Sequence, residues 1–340
     1  MRTDCRTARG IAPSRRTVLW ALTSAMVPVT LAGCSSLSAG GARFDASEIS
    51  TNPAVLVATT RNAVSRAREK PWFGTERAAT ATIARAQLTP PDDGRLSLSS
   101  IGLGDWRLDR IEPLQQADDL AQLTSGREVL IYVHGFNQTF ESAVLDAARL
   151  SDGVRFHGET MAFSWPSRAK LLDYGYDRDS AMWSRDALET ILVELVARPS
   201  AGRVNIVAHS IGTMLAMEAL RQLYAERGDA VAERIGAVIF ASPDIDMDVF
   251  ATSIRHIGPL ARKIMVITAS NDRALAVSRW MAGGMTRVGS AEKSKLQQLG
   301  LRVVDASDEG WGLINHDLFL SNSQVRQLIR QALETPEQPA

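Results

Sequence analysis

Cysteine is almost missing from this 340-residue chain: Cys5 and Cys34 are the only two. No disulfide framework, cysteine metal site or cysteine nucleophile can be built further along it. Net charge is missing as well, because 38 basic and 38 acidic residues cancel. That removes the electrostatic case for nucleic acid, whose binding begins with phosphate neutralisation. After the N-terminus no run of 18 apolar residues occurs, so no further membrane segment is expected. HExxH, paired CxxC, GxxxxGK[ST] and a strand-linked GxGxxG are all absent. Metal, nucleotide and dinucleotide chemistry therefore have no sequence support, and no cofactor is expected.

What is present begins with a leader. Arg2, Arg6, Arg9, Arg15 and Arg16 make a basic start, and Thr17 to Gly33 carry no charge. Leu31-Ala32-Gly33-Cys34 follows, small residues where a peptidase would cut. It resembles a bacterial lipobox, with Cys34 as the lipidated first residue. Ser14-Arg15-Arg16-Thr17-Val18-Leu19 also resembles a twin-arginine export signal. An uncleaved anchor is the alternative. Residues 1–33 are thus read as a signal peptide of an exported cell-envelope lipoprotein, held on a membrane surface by lipid rather than by a span. Their removal takes five arginines and one aspartate, leaving a formal charge of −4. Residues 34–50, small and polar, suit a flexible tether.

Residues 51–127 are expected to add a short helix and edge strands to the domain, with Pro90-Pro91-Asp92-Asp93-Gly94 as a turn before the weakly alternating RLSLSSIGL. From 128 to 335 the pattern is plain. EVLIYVHG, ETMAFSWP, RVNIVAHS, RIGAVIFASPDID, KIMVITASND and LRVVDASD are apolar β-rich runs, and helix-spaced segments alternate with them. SAMWSRDALETILVELVA sets Ala181, Leu188, Ile191, Leu192 and Leu195 on one helical side, and SNSQVRQLIRQALE closes the chain as a helix. Alternating β and α with buried-type strands predicts an α/β fold, a mainly parallel central sheet with helices on both faces.

In such sheets the chemistry collects beyond the strands' carboxyl ends. Those positions hold His134-Gly135-Phe136-Asn137, Pro166-Ser167, Ser210, Asp244 with Asp246, Asp272 and, before the last helix, His316. Serine, acid and histidine occur in the order Ser210, Asp272, His316, which is the chain order of α/β-hydrolases. His316 would accept the Ser210 proton and Asp272 would hold the imidazole. The backbone N–H of Ile211, at a helix start, and that of Phe136 would bind the oxyanion. Other readings stand beside these. Ser210 or Asp272 can be helix caps. Asp244 and Asp246 are rival acids. His134 suits shaping the loop, while Asn137 and Ser167 either line the site or close turns. In Ala208-His209-Ser210-Ile211-Gly212, alanine stands where an elbow normally has its first glycine, adding one methyl at a strand–helix contact. A lid in the thirteen residues SRAKLLDYGYDRD would be small, and residues 282–300 are the alternative flap.

Together these pieces resemble an uncharacterised, esterase/lipase-like bacterial branch of the α/β-hydrolases, the domain of unknown function 900. The resemblance rests on Phe73-Gly74-Thr75-Glu76-Arg77, Val133-His134-Gly135-Phe136-Asn137, Phe163-Ser164-Trp165-Pro166-Ser167, Ala208-His209-Ser210-Ile211-Gly212, Ser242-Pro243-Asp244-Ile245-Asp246 and Asn271-Asp272-Arg273-Ala274-Leu275, across about residues 70–335. Members often carry alanine before His-Ser. Where they usually have Gly-His-Ser, this chain has Asn315-His316-Asp317. The resemblance implies a serine hydrolase acting on esters, with no substrate supplied. The expectation is a serine carboxylester hydrolase for a small-molecule or lipid ester. Acyl transfer on the same triad and a catalytically silent envelope scaffold are the alternatives.

Overall fold

The computed structural model describes residues 54–64, 70–91, 106–114, 117–198, 202–269, 286–307 and 317–336. Its frame is one nine-stranded sheet in the order β3-β2-β1-β5-β4-β6-β7-β8-β9. The strands are β1 (Ala54–Ala63), β2 (Phe73–Thr89), β3 (Arg107–Pro113), β4 (Val129–Val133), β5 (Glu159–Ser164), β6 (Val204–His209), β7 (Ile235–Ala241), β8 (Ile264–Thr268) and β9 (Arg302–Asp305). From β1 to β9 every neighbouring pair is parallel, and β2 and β3 add antiparallel to the β1 side.

Parallel strands covered on both faces must be apolar on both faces. β4 meets that demand. Val129, Ile131 and Val133 enter one core layer, and Leu130 and Tyr132 the other. The first layer is closed by α3 (Tyr174–Trp183), α4 (Arg185–Val196), α5 (Ile211–Arg227), α6 (Ala230–Arg234) and α7 (Met247–Ile254). The second is closed by α2 (Phe140–Gly153) and the final helix Ser323–Glu334; α1 (Ala117–Thr124) precedes β4. The five apolar positions picked out between residues 181 and 195 are all buried, although the segment is two helices. The break falls at Ser184, whose hydroxyl turns back to the Ser180 carbonyl (2.8 Å) and contacts Thr60 Oγ1 (2.9 Å).

One expectation is corrected. Residues 54–63 are not a helix but the strand β1, inside the sheet between β2 and β5. Its first eight residues are all buried, a demand met by AVLVATTR through β-branched packing and not through helical periodicity. The proposed edge strand RLSLSSIGL lies outside the described residues; the observed edge is β3. Of the alternative flap 282–300, residues 282–285 lie outside the described residues, and 286–291 are tied to the sheet. Met247 N–H donates to Thr286 O (3.1 Å), Val288 N–H to Ile245 O (2.9 Å), Gly289 N–H to Pro243 O (2.9 Å), and Ala269 N–H to Gly289 O (2.9 Å). Those bonds, with Val288 fully buried, stitch the segment to the ends of β7 and β8.

Candidate active site

The β6–α5 turn, at the sheet's carboxyl end, is held in an unusual backbone conformation. Ser210 has φ 52° and ψ −124°, a backbone region that side-chain-bearing residues rarely occupy. Its neighbours impose it. Ser210 N–H donates to Ala241 O (3.0 Å), and Ser210 O accepts from Thr213 N–H (3.1 Å), Asp244 N–H (3.2 Å) and the Thr213 hydroxyl. Ser210 occupies the N-cap position of α5, yet its side chain makes no capping hydrogen bond. A capping serine normally has extended backbone and bonds N2 or N3. The capping alternative therefore does not account for this serine.

Close approach beside the turn depends on glycines. A Cβ on Gly212 would lie 2.3 Å from His134 O, and one on Gly135 would lie 2.9 Å from Ser210 Cβ. Ala208, by contrast, is fully buried in the core with its methyl accommodated. The loop after β4 is thus pressed against the Ser210 turn. Among the described residues, neither Phe136 N–H nor Ile211 N–H donates to a protein acceptor. Ile211 is the first residue of a 17-residue helix, where such donors point outward along the positive end of the dipole.

His134 is buried and stacks on Trp165 with ring centroids 4.5 Å apart. Nδ1 lies 2.9 Å from Gly135 O and Nε2 lies 3.1 Å from Trp165 O, while Trp165 Nε1 donates to His134 O (2.9 Å). Burial, together with the nearby Arg61 charge, lowers its pKa to about 3. It is a neutral strut for the loop, as the sequence suggested, and not a base. Between pH 6.5 and 3 the unfolded chain binds a proton at this histidine that the folded chain refuses. Stability should therefore fall as pH drops through that window, by about 1.4 kcal/mol per pH unit. Urea unfolding at pH 7 and pH 5, compared between wild type and His134→Gln, isolates the contribution. An unchanged difference between the two proteins across those pH values would refute it.

Asn137 has φ 61°, and its N–H donates to Asp177 Oδ2 (3.2 Å). Ser167 is buried. Its hydroxyl donates to the same Asp177 oxygen and accepts from Gln138 N–H (3.2 Å) and Ala169 N–H (3.1 Å). Both residues tie loops together. Asp244 forms an ion pair with Arg287 (3.0 Å), both side chains being 2% exposed, and accepts from the Tyr174 hydroxyl (2.8 Å). The ring of Tyr174 packs edge-on against Phe136 at 5.4 Å. Asp246 caps α7, its Oδ1 accepting from Asp248 N–H (3.0 Å) and Val249 N–H (3.2 Å). His209 turns to the other core layer, 4.8 Å from the Phe319 ring, while His157 and His256 are exposed. Asp272, His316 and Cys34 lie outside the described residues.

Sequence reasoning missed four participants: Arg61, Asp177, Tyr174 and Arg287. Nothing local marks them, since Arg61 sits in the polar-looking TTRNA and Arg287 in GGMTRVGS. Burial pushes the Arg61 pKa down to about 9 against the opposing pull of Asp177 and Tyr176, so it remains charged at neutral pH. Burial raises the pKa of Asp177, opposed by the donors from Ser167, Arg168 and Asn137 and by Arg61.

Comparison with known proteins agrees with this frame. A family model described as alpha/beta hydrolase of unknown function (DUF900) matches residues 110–332. An uncharacterized protein of Nostoc sp. is 26% identical over 122 residues, 28% of this chain and 32% of its own length. The match thus spans about a third of that relative. Among solved structures, Aspergillus fumigatus lipase B is 12% identical, covering 62% of this chain and 53% of that one, with a TM-score of 0.40. A Pyrobaculum calidifontis esterase is 14% identical, covering 75% and 81%, with a TM-score of 0.33. Likenesses at that level say nothing about substrate. The family match spans most of the chain and coincides with the mainly parallel sheet and its strand-end site: this chain belongs to the alpha/beta hydrolases of the DUF900 family.

Proposed function

We propose that the protein is a serine carboxylester hydrolase working through an acyl-enzyme on Ser210. The observation that carries this reading is the Ser210 backbone, held at φ 52° with its hydroxyl released from capping, at the start of α5. In the proposed reaction His316 accepts the hydroxyl proton as Oγ adds to the ester carbonyl. The N–H groups of Phe136 and Ile211 stabilise the resulting oxyanion. Collapse expels the alcohol, which takes the proton from His316, and water then releases the acid by the same steps. Asp272 orients His316. Two facts support that choice of acid and base. Asp244 and Asp246 are already committed, to Arg287 with Tyr174 and to the α7 cap respectively. The four described histidines are a buried neutral strut, a ring on the opposite core layer and two exposed side chains.

The leader and Cys34 add a second part to the proposal: the enzyme is exported and lipid-anchored, acting on a small-molecule or lipid ester at the cell envelope. Full-length wild type and Ser210→Ala, expressed in a bacterial host, test both parts. Wild-type membranes should hydrolyse p-nitrophenyl butyrate and label with a fluorophosphonate, and Ser210→Ala membranes should do neither. Cys34→Ser should move the activity out of the membrane fraction. Equal hydrolysis by wild type and Ser210→Ala removes the mechanism, and membrane-bound Cys34→Ser activity removes the anchor.

A further inference from the structure

Arg61 stands at the end of β1, 1% exposed, with its guanidinium beneath the loops that surround Ser210. Nε donates to Ser164 Oγ (2.9 Å), Nη1 to Gly74 O (3.1 Å) and Ser167 O (2.9 Å), and Nη2 to Gln138 O (2.8 Å). One side chain thereby joins the end of β5, the start of β2, the loop after β5 and the loop after β4. Asp177, fully buried on α3, holds the same loops from the other side. Its Oδ2 accepts from Asn137 N–H and the Ser167 hydroxyl, and its Oδ1 accepts from Arg168 N–H (2.8 Å).

The consequence for the loop after β4 is a count of fixed groups. Residues 134 and 135 are held through Trp165 and the His134 ring. Residues 137 and 138 are held at both N–H groups, by Asp177 and Ser167, and at the Gln138 carbonyl by Arg61. Phe136 lies between, and its N–H has no protein acceptor among the described residues. Asn137 sits in the left-handed region, which asparagine tolerates, and that turn fixes the direction of the chain after Phe136. A buried guanidinium is itself costly unless its hydrogen-bonding capacity is met. Here four acceptors meet four of its five N–H groups, with the Asp177 charge nearby. A loop that needed only to be covered would be packed with apolar side chains.

We propose that Arg61 and Asp177 are a positioning pair that aims the Phe136 N–H at the oxyanion formed on a Ser210 acyl-transfer intermediate. This rests on the serine-hydrolase reading above. Neither residue touches the reacting atoms; both act through the backbone of residues 136–138. The planar fork is the essential property. Lysine keeps the charge but has no rigid geometry with which to span β5, β2 and two loops.

The test uses full-length Arg61→Lys, Arg61→Met and Asp177→Asn, with Ser210→Ala as the reference for serine-dependent turnover. For p-nitrophenyl butyrate, Arg61→Lys should lower kcat by about 30–100-fold while KM stays within about twofold, because an oxyanion donor acts only in the transition state. Affinity for a trifluoromethyl ketone, which forms a tetrahedral adduct, should fall in parallel with kcat/KM. Asp177→Asn, a milder change that keeps one acceptor, should show the same split at about tenfold, and it carries the test if the arginine variants do not fold. Folded variants that keep wild-type kcat, or that lose kcat and raise KM by equal factors with the ketone unaffected, overturn the positioning role. Equal turnover by wild type and Ser210→Ala instead overturns the serine reading, and the positioning role with it. Serine-dependent turnover that is indifferent to Arg61 and Asp177 removes the positioning role alone.

Discussion

Replacing His316 with alanine should reduce kcat/KM for an activated ester by about 10⁴-fold or more, to the level reached by Ser210→Ala. The expected size follows from the chemistry of the pair. A serine hydroxyl is a weak nucleophile until a base takes its proton, and the same base must later protonate the leaving alcohol. Losing the histidine therefore removes both steps. The double variant should be no worse than either single one, because nucleophile and base act as a unit. No described histidine is placed to substitute. His134 has its pKa lowered to about 3 and is wedged between two carbonyls, and His209 packs on Phe319. Asp272→Asn should cost about 10³–10⁴-fold through loss of the correct tautomer. The measurement is steady-state hydrolysis by the purified variants, with fluorophosphonate labelling as a second readout. A His316→Ala enzyme that keeps a tenth of wild-type activity would exclude this histidine as the base.

The sequence carries the parallel core because its information there is local. Runs such as VLIYV and VNIVAH are apolar on both faces, and only a sheet covered on both sides uses that pattern. The turn at Ser210 was equally visible, since strand, serine and glycine lie within a few residues. β1 was not visible, because a strand's place is decided by its partners. Leu56 to Thr59 pair with Met161 to Ser164, about a hundred residues away, and nothing within residues 51–70 encodes that pairing. Arg61 was hidden for the same reason. Its four acceptors come from Gly74, Gln138, Ser164 and Ser167, so an arginine that reads as solvent-facing becomes one of the largest fully buried side chains. Asp244 shows the converse: its strand-end position marked it as a rival acid, while its pairing with Arg287 emerges only from the fold.

The two small residues around His-Ser should respond unequally, and Gly212→Ala should be the more damaging. Propensity alone predicts a gain, because alanine is better than glycine in a helix by roughly 0.5–1 kcal/mol. Geometry predicts a loss. The new Cβ would lie 2.3 Å from His134 O and 2.8 Å from Val133 O, both backbone atoms that cannot rotate away. Either α5 or the end of β4 must shift, at a cost of about 3 kcal/mol for overpacking. The clash therefore wins over propensity, and the melting temperature should drop by about 5 °C. The shift would also separate the two proposed oxyanion donors, because Ile211 begins α5 and Phe136 follows the strand end that α5 presses against. A displacement near 1 Å can cost on the order of 100-fold in rate, so kcat should fall by about that factor. Ala208→Gly is the control. Its methyl is buried and fits, so its removal should cost about 1 kcal/mol and leave kcat within a few-fold. Thermal unfolding and kcat measured together on both variants decide the matter. A Gly212→Ala protein as stable and as active as wild type would mean that the contact between α5 and the end of β4 does not set the geometry of the site.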